Sequence, residues 1–155
     1  MSNIIIRPAT LGELPILLEF EQAIIEYERP FEENMQSQPF SYYDLEQLIQ
    51  SDQAEVLVAD IDGIIIASGY AKIKQSLDYL NDETHSFLGF MFVAEDHRGK
   101  GVNQLIIDRL IEWSRSKKMT SISLTVFEQN ASAIKAYRKL GFEKQLVEMR
   151  MNLND

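Results

Sequence analysis

Apolar positions along the chain fall into two periods, one near two and one near 3.6, and the changes between them mark out its elements. Residues 3–7 carry Ile4, Ile5 and Ile6 ahead of Pro8, which predicts a short buried strand closed by proline. Thr10 and Glu13 have the spacing of a capping box, the hydroxyl and the carboxylate each satisfying the other residue's backbone donor. Leu14, Leu17, Leu18, Ile24 and Ile25 then give one apolar helical face to about Tyr27. The stretch 28–40 holds two prolines and no period, and reads as a loop. Ser41 and Asp44 open a second short helix carrying Leu45, Leu48 and Ile49. Strands 55–61 and 64–73 are joined by Asp62-Gly63, a two-residue hairpin signal, and polar 75–83 forms a longer hairpin loop. Strand 84–93 is apolar on both faces from Phe87 onward, which implies helices covering each side. Val102, Leu105, Ile106, Leu110 and Trp113 place a helix at 101–117, followed by strand 119–127, helix 131–140 and a final strand within 143–153.

The order is therefore β-α-α-β-β-β-α-β-α-β. Strands 84–93 and 119–127 are linked by a helical crossover and should run parallel. At 155 residues, 1–155 is expected to form a single domain, with no repeat or interdomain linker. Its length allows about two-thirds of the unfolded surface to be buried. Apolar content of 45% and charged content of 25% are those of an ordinary globular protein. No apolar run approaches the ~20 residues of a membrane span, so the expected location is cytoplasmic, without membrane association.

Absence of cysteine removes disulfides, thiolate metal sites and any cysteine nucleophile. With only His85 and His97, a multi-histidine metal centre is excluded too, and no metal is expected. The net charge of −9 is unevenly spread. Residues 1–96 hold four Lys and Arg against 18 Asp and Glu, whereas residues 97–155 hold 11 against six. The balances are −14 and +5. A basic half suits a polyanionic ligand and an acidic half a cationic one. Nucleic acid is disfavoured, because no basic stripe with interleaved aromatics is present.

The basic half begins at His97-Arg98-Gly99-Lys100-Gly101-Val102-Asn103, between the apolar strand and the helix. A strand, a basic glycine-bearing turn and a helix N-terminus make a place to hold phosphate. Free N–H groups point outward there, the helix dipole favours anions, and glycine lets the backbone approach closely. Arg98 adds a fork suited to phosphate oxygens and Lys100 a point charge. Further on, Asn130, Ala133, Tyr137, Gly141 and Phe142 recur at fixed spacing after the strand-like run 122–127.

These two segments resemble the signatures of the GNAT superfamily of acetyl-CoA-dependent N-acetyltransferases. The first, [Q/R]-x-x-G-x-[G/A], is matched by residues 98–103, except that Asn103 stands where Gly or Ala is usual. The second, N-x-x-A-x-x-x-Y-x-x-x-G-F, is matched at Asn130, Ala133, Tyr137, Gly141 and Phe142. The resemblance implies an α/β chain of the α+β type with the GNAT fold. That fold would have a mixed central sheet of about six to seven strands and four helices, splayed between strands 84–93 and 119–127. Gly89 could mark the start of that splay, or could be admitted for packing. The implied activity is transfer of an acetyl group from acetyl-CoA to a primary amine by direct attack in a ternary complex, on a small cationic acceptor.

On this resemblance, Arg98, Gly99, Lys100, Gly101, Val102 and Asn103 would hold the pyrophosphate. Met91, Phe92 and Val93 would pair with the pantetheine arm, and the Val93 N–H would polarise the thioester carbonyl. Asn130 would cap its helix and touch pantetheine, and Tyr137 would protonate the leaving thiolate. The base has several candidates. His85 has a suitable intrinsic pKa, Glu28 lies in the acidic loop, Glu95 precedes the turn, and a water chain would also serve. Peptide or protein amine acetylation, and a non-catalytic acyl-CoA sensor, are the alternatives. A homodimer is left open.

Overall fold

The computed structural model describes residues 3–154. Its centre is a five-stranded sheet in the order β1 (Ile4–Pro8), β2 (Ala54–Ile61), β3 (Ile64–Gln75), β4 (Thr84–Val93), β5 (Ile122–Ser123). The first four strands are antiparallel neighbours, and β5 runs parallel to β4, as the crossover requires. Helices α1 (Leu14–Glu28) and α2 (Leu45–Gln50) precede β2 in the chain. Helix α3 (Val102–Ser116) links β4 to β5, and α4 (Ala131–Lys139) follows.

Local chemistry explains most boundaries. The Glu13 carboxylate accepts from the Thr10 N–H at 2.9 Å, closing the capping box ahead of α1. The Asp44 side chain accepts from the Gln47 N–H at 3.2 Å and caps α2. Asp62 and Gly63 both take positive φ (51° and 87°), as a tight hairpin turn demands. The helix faces depart slightly from expectation. Leu17, Phe20, Glu21, Ile24 and Ile25 are buried on α1 while Leu18 is exposed, and Leu105 of α3 is exposed as well.

Two apolar layers flank the sheet. Leu17, Phe20, Ile24, Leu45 and Leu48 pack with Val56, Val58, Tyr70 and Phe90. On the other side, Val102, Ile106, Ile107 and Leu110 pack with Leu57, Ala59, Ile66, Ala67, Ala71 and Leu88. Strand β4 thus buries both faces, as its sequence predicts, but not by simple alternation. Leu88 and Phe90 have the same parity and lie in opposite layers. The cause is a bulge, in which Phe90 and Met91 together oppose the single residue Gly69 of β3, with Phe90 at φ +59°. The Phe90 carbonyl accepts from the buried Ser68 hydroxyl at 3.0 Å.

Two expected strands are corrected. Of 119–127 only Ile122–Ser123 pairs, with Ser86 and Phe87 of β4. Beyond Phe87, β4 meets its bulge and β5 no longer follows its edge. The segment 143–153 forms no strand, because no neighbouring edge among the described residues bonds to it. Among the described residues the sheet accordingly has five strands rather than six or seven.

Candidate functional site

The end of β4, the turn after it and the start of α3 form one continuous surface. Ala94 donates to the Ile66 carbonyl at 2.8 Å, so that residue pair is the hydrogen-bonded one. Val93, opposite Ala67, therefore turns its own N–H and C=O away from β3, toward the side that β5 has left. Its carbonyl accepts from Arg98 Nε at 2.9 Å, which folds the Arg98 side chain back along the strand. By the same alternation, Phe92 pairs with Ser68 on the β3 side. Its ring stacks on Phe20, centroids 4.4 Å apart, while Met91 packs into the α3 layer.

Gly99 and Gly101 both adopt left-handed backbone, at φ +75° and +81°. Nothing lies within 4 Å of where a Cβ would sit on either. Gly101 is the N-cap of α3 and offers no side-chain cap, and the first bond into the helix is Leu105 N–H to the Gly101 carbonyl at 3.3 Å. The N–H groups of Val102, Asn103 and Gln104 thus lack intrahelical acceptors. No acidic residue lies in this first turn. Neither Arg98 nor Lys100 enters an ion pair among the described residues. Asn103, the departure from the motif, is half-buried. Geometry, dipole and charge all suit an anion approached closely by backbone.

Tyr137 and Asn130 belong to α4. Asn130 is buried and caps the helix, its Oδ1 accepting from the Ala133 N–H at 3.3 Å. Tyr137 packs against the α3 layer and meets the Phe142 ring edge-on at 5.9 Å. Burial, then the charge of Glu28, pushes its phenol up to about 12, so the hydroxyl, protonated at neutral pH in any tyrosine, is held still more firmly in that form.

Glu28, at the C-terminus of α1, is near enough for its charge to be felt by Tyr137, Tyr42 and Tyr43. Desolvation raises its own pKa, against the lowering effect of the Tyr42 hydroxyl beside it. The pair does not close a hydrogen bond, and the Tyr42 hydroxyl is buried without a partner. Aromatic rings crowd this end of α1. Tyr27 meets Phe31 at 5.8 Å, and Phe31 meets Phe127, just past β5, at 6.2 Å.

The other sequence candidates stand elsewhere. His85 begins β4, with Nδ1 2.9 Å from the Ser76 hydroxyl. It is eight residues before Val93, on the order of 26 Å along a strand. Glu95 is exposed in the 3₁₀ turn Glu95–His97, ahead of the basic turn. The structure thus brings 91–93 and 98–103 together, and Glu28 within electrostatic reach of Tyr137. It leaves His85 at the far end of β4.

Glu21 was not among the sequence candidates. It is fully buried, with Oε2 accepting from the N–H groups of Tyr42 (2.7 Å) and Tyr43 (2.8 Å) and Oε1 unpartnered. It fixes the backbone of the two tyrosines beside Glu28. The available signal was a carboxylate at helical spacing within the buried face Leu17, Phe20, Ile24 and Ile25.

Comparison with known proteins gives a family match. Residues 21–142 fit the model of the Acetyltransferase (GNAT) family. An acetyltransferase of Yersinia pestis (strain Pestoides F) is 30% identical over 105 residues, covering 66% of this chain and 67% of that protein. The uncharacterized N-acetyltransferase YobR of Bacillus subtilis is 38% identical over 55 residues, and the match spans 36% of this chain and only 22% of YobR. Among solved structures, a mutant of the BH1408 protein from Bacillus halodurans superposes with a TM-score of 0.86 at 22% identity, covering 97% of this chain and 99% of that one. A predicted acetyltransferase with acetyl-CoA from Clostridium acetobutylicum gives 0.75 at 15% identity, covering 97% of each chain. The aminoglycoside N-acetyltransferase AAC(6')-Iy in complex with CoA gives 0.71 at 20%, covering 96% and 99%.

Proposed function

The chain belongs to the acetyltransferase (GNAT) family, and from that premise we propose that it transfers an acetyl group from acetyl-CoA to a primary amine, by direct attack in a ternary complex. The observation that carries this reading is the parting of β4 and β5 after two paired residues, beside a helix N-terminus capped by a left-handed glycine. The parted edge supplies backbone for an extended amide-bearing arm. The turn supplies a seat for its pyrophosphate, where Gly99 and Gly101 leave room and the N–H groups of Val102, Asn103 and Gln104 face outward.

In the reaction, the amine nitrogen attacks the thioester carbon, the C–S bond breaks, and an amide and a free thiol leave. The Val93 N–H, aimed to the open side of β4, stabilises the oxyanion that forms on attack. Tyr137, protonated at neutral pH, gives its proton to the departing sulfur. Glu28 is the base favoured by position, since its charge reaches Tyr137 and its raised pKa brings it nearer neutrality. The Glu28 carboxylate, the aromatic rings of Tyr27, Phe31 and Phe127, and the acidic N-terminal half suit a small cationic acceptor. Solved relatives of the fold hold acetyl-CoA or CoA, and one of them is named for aminoglycosides. The reading is tested by free-thiol release from acetyl-CoA across polyamines, aminoglycosides, amino acids and peptides. Release above background with small polycations but not with peptides is the expected pattern.

A further inference from the structure

Glu21 and the Tyr42 hydroxyl are buried polar groups that the acetyl-transfer chemistry does not use. Glu21 and Glu28 are two turns apart on one face of α1, about 10.5 Å along the helix. Tyr42 spans them. Its backbone N–H donates to Glu21 Oε2 at 2.7 Å, and its hydroxyl lies beside the Glu28 carboxylate. Tyr43, whose N–H donates to the same Glu21 oxygen at 2.8 Å, sets its ring edge-on to Tyr70 at 5.4 Å and Phe90 at 5.5 Å. Glu21 therefore ties the end of the 32–44 loop both to α1 and to the bulge of β4.

The buried Tyr42 hydroxyl has no hydrogen-bond partner among the described residues. Leaving such a group unpaired is costly, and the Glu28 carboxylate is the acceptor beside it. The nearby cations are engaged elsewhere. Arg29 bonds to Glu26 at 3.2 Å and to the Gln36 carbonyl at 2.9 Å, and Arg150 bonds to Glu32 at 2.6 Å. Glu28 enters no ion pair among the described residues. Resting on the reading of Glu28 as the base for acetyl transfer, we propose that Tyr42 is a positioning residue. Anchored by Glu21, it donates a hydrogen bond to Glu28 and holds that carboxylate toward the acceptor amine. It acts through Glu28 alone and touches neither amine nor thioester.

This contact has a titration signature. Desolvation raises the pKa of Glu28, and the Tyr42 hydroxyl lowers it. The other titratable or charged groups about the pair are Tyr43 and Tyr137, which feel the charge of Glu28, and Arg29 and Glu32, which act on Tyr42. Tyr42→Phe keeps the ring against Phe40 and Tyr43 and removes only the hydroxyl. The lowering effect is then lost, and Glu28 should titrate at higher pH. A base works deprotonated, so the acidic limb of kcat/KM should move up with it.

Carbon-13 NMR of protein labelled at the glutamate carboxyl, with Glu28 assigned by its loss in Glu28→Gln, reads the midpoint without any acceptor. Thiol release from acetyl-CoA, with spermine and neamine as probe amines, reads the limb. Titration of the amine itself is common to all variants and drops out of their difference. Tyr42→Phe should raise midpoint and limb together and lower kcat about tenfold with the amine KM little changed, as for one lost hydrogen bond to a charged group. Glu21→Leu frees the Tyr42 backbone and should move midpoint and kcat the same way. Glu21→Gln keeps an oxygen for the two N–H groups and should recover most of both. A Glu28 midpoint that stays in place in Tyr42→Phe, or a limb that ignores a midpoint that has moved, would overturn the proposal and leave acetyl transfer standing. No amine-dependent thiol release from the unaltered chain would instead overturn the reading it rests on, and the proposal with it.

Discussion

Burial, and then the charge of Glu28, lifts the Tyr137 phenol to about 12, further above neutrality than an ordinary tyrosine. If the phenol proton goes to the leaving sulfur, Tyr137→Phe should lower kcat and kcat/KM together by about 10²–10⁴-fold while CoA affinity barely moves. Steady-state turnover beside calorimetric CoA titration measures both. Gly101 sits at φ +81° with open space where its side chain would be. Gly101→Glu combines backbone strain of about 1–2 kcal/mol with a negative charge at the anion seat, and should abolish CoA binding in a protein that still folds. Gly101→Asn, which tolerates this backbone better, should retain measurable binding. For Glu28 the sign runs the other way from a salt-bridged carboxylate. Its pKa is raised by desolvation, so its protonated form favours the fold, and that contribution disappears as pH rises through the folded value. Glu28→Gln should thus raise Tm at pH 7 and give no gain below the ordinary glutamate value of about 4.3, while turnover falls. The glycine turn and Tyr137 were legible in the sequence because each is a local motif. Glu21 was not, since its importance comes from the backbone of Tyr42 and Tyr43, some twenty residues away.

Among the elements, β4 organises the site. Its bulge at Phe90 inverts the facing of all that follows, sending Phe92 to Phe20 and Val93 to the α3 layer. The sequence showed an apolar run of both parities but not the bulge, because an extra residue changes no composition. Gly89 proves to be a packing glycine. A Cβ there would come within 2.6 Å of the Tyr70 ring, which is itself buried against Tyr43. Gly89→Ala should cost about 1–3 kcal/mol, as overpacking does, and is measured by urea denaturation. The hairpin and both helix caps were readable because their residues are neighbours in sequence. The shortness of β5 and the unpaired 143–153 were not, since alternation predicts what can be a strand, and only a neighbour's edge makes it one.

At the scale of the whole molecule, the charge asymmetry read from the sequence now has a place. The basic half contributes the turn and α4, and the acidic half contributes α1 with Glu21 and Glu28. A fold with two oppositely charged halves suits a polyanionic donor and a cationic acceptor meeting at the gap between β4 and β5. Donor affinity should therefore fall as salt is raised, because the contacts at the exposed turn are screened. The central claim is acetyl transfer at that gap, and the most direct measurement is thiol release from acetyl-CoA with and without a polycationic amine, with the product weighed by mass spectrometry. The account predicts thiol release that depends on the amine, matched one for one by acetylated amine, and lost in Tyr137→Phe. Tight acetyl-CoA binding with no amine-dependent release from any acceptor, in the unaltered chain as in Tyr137→Phe, would contradict it.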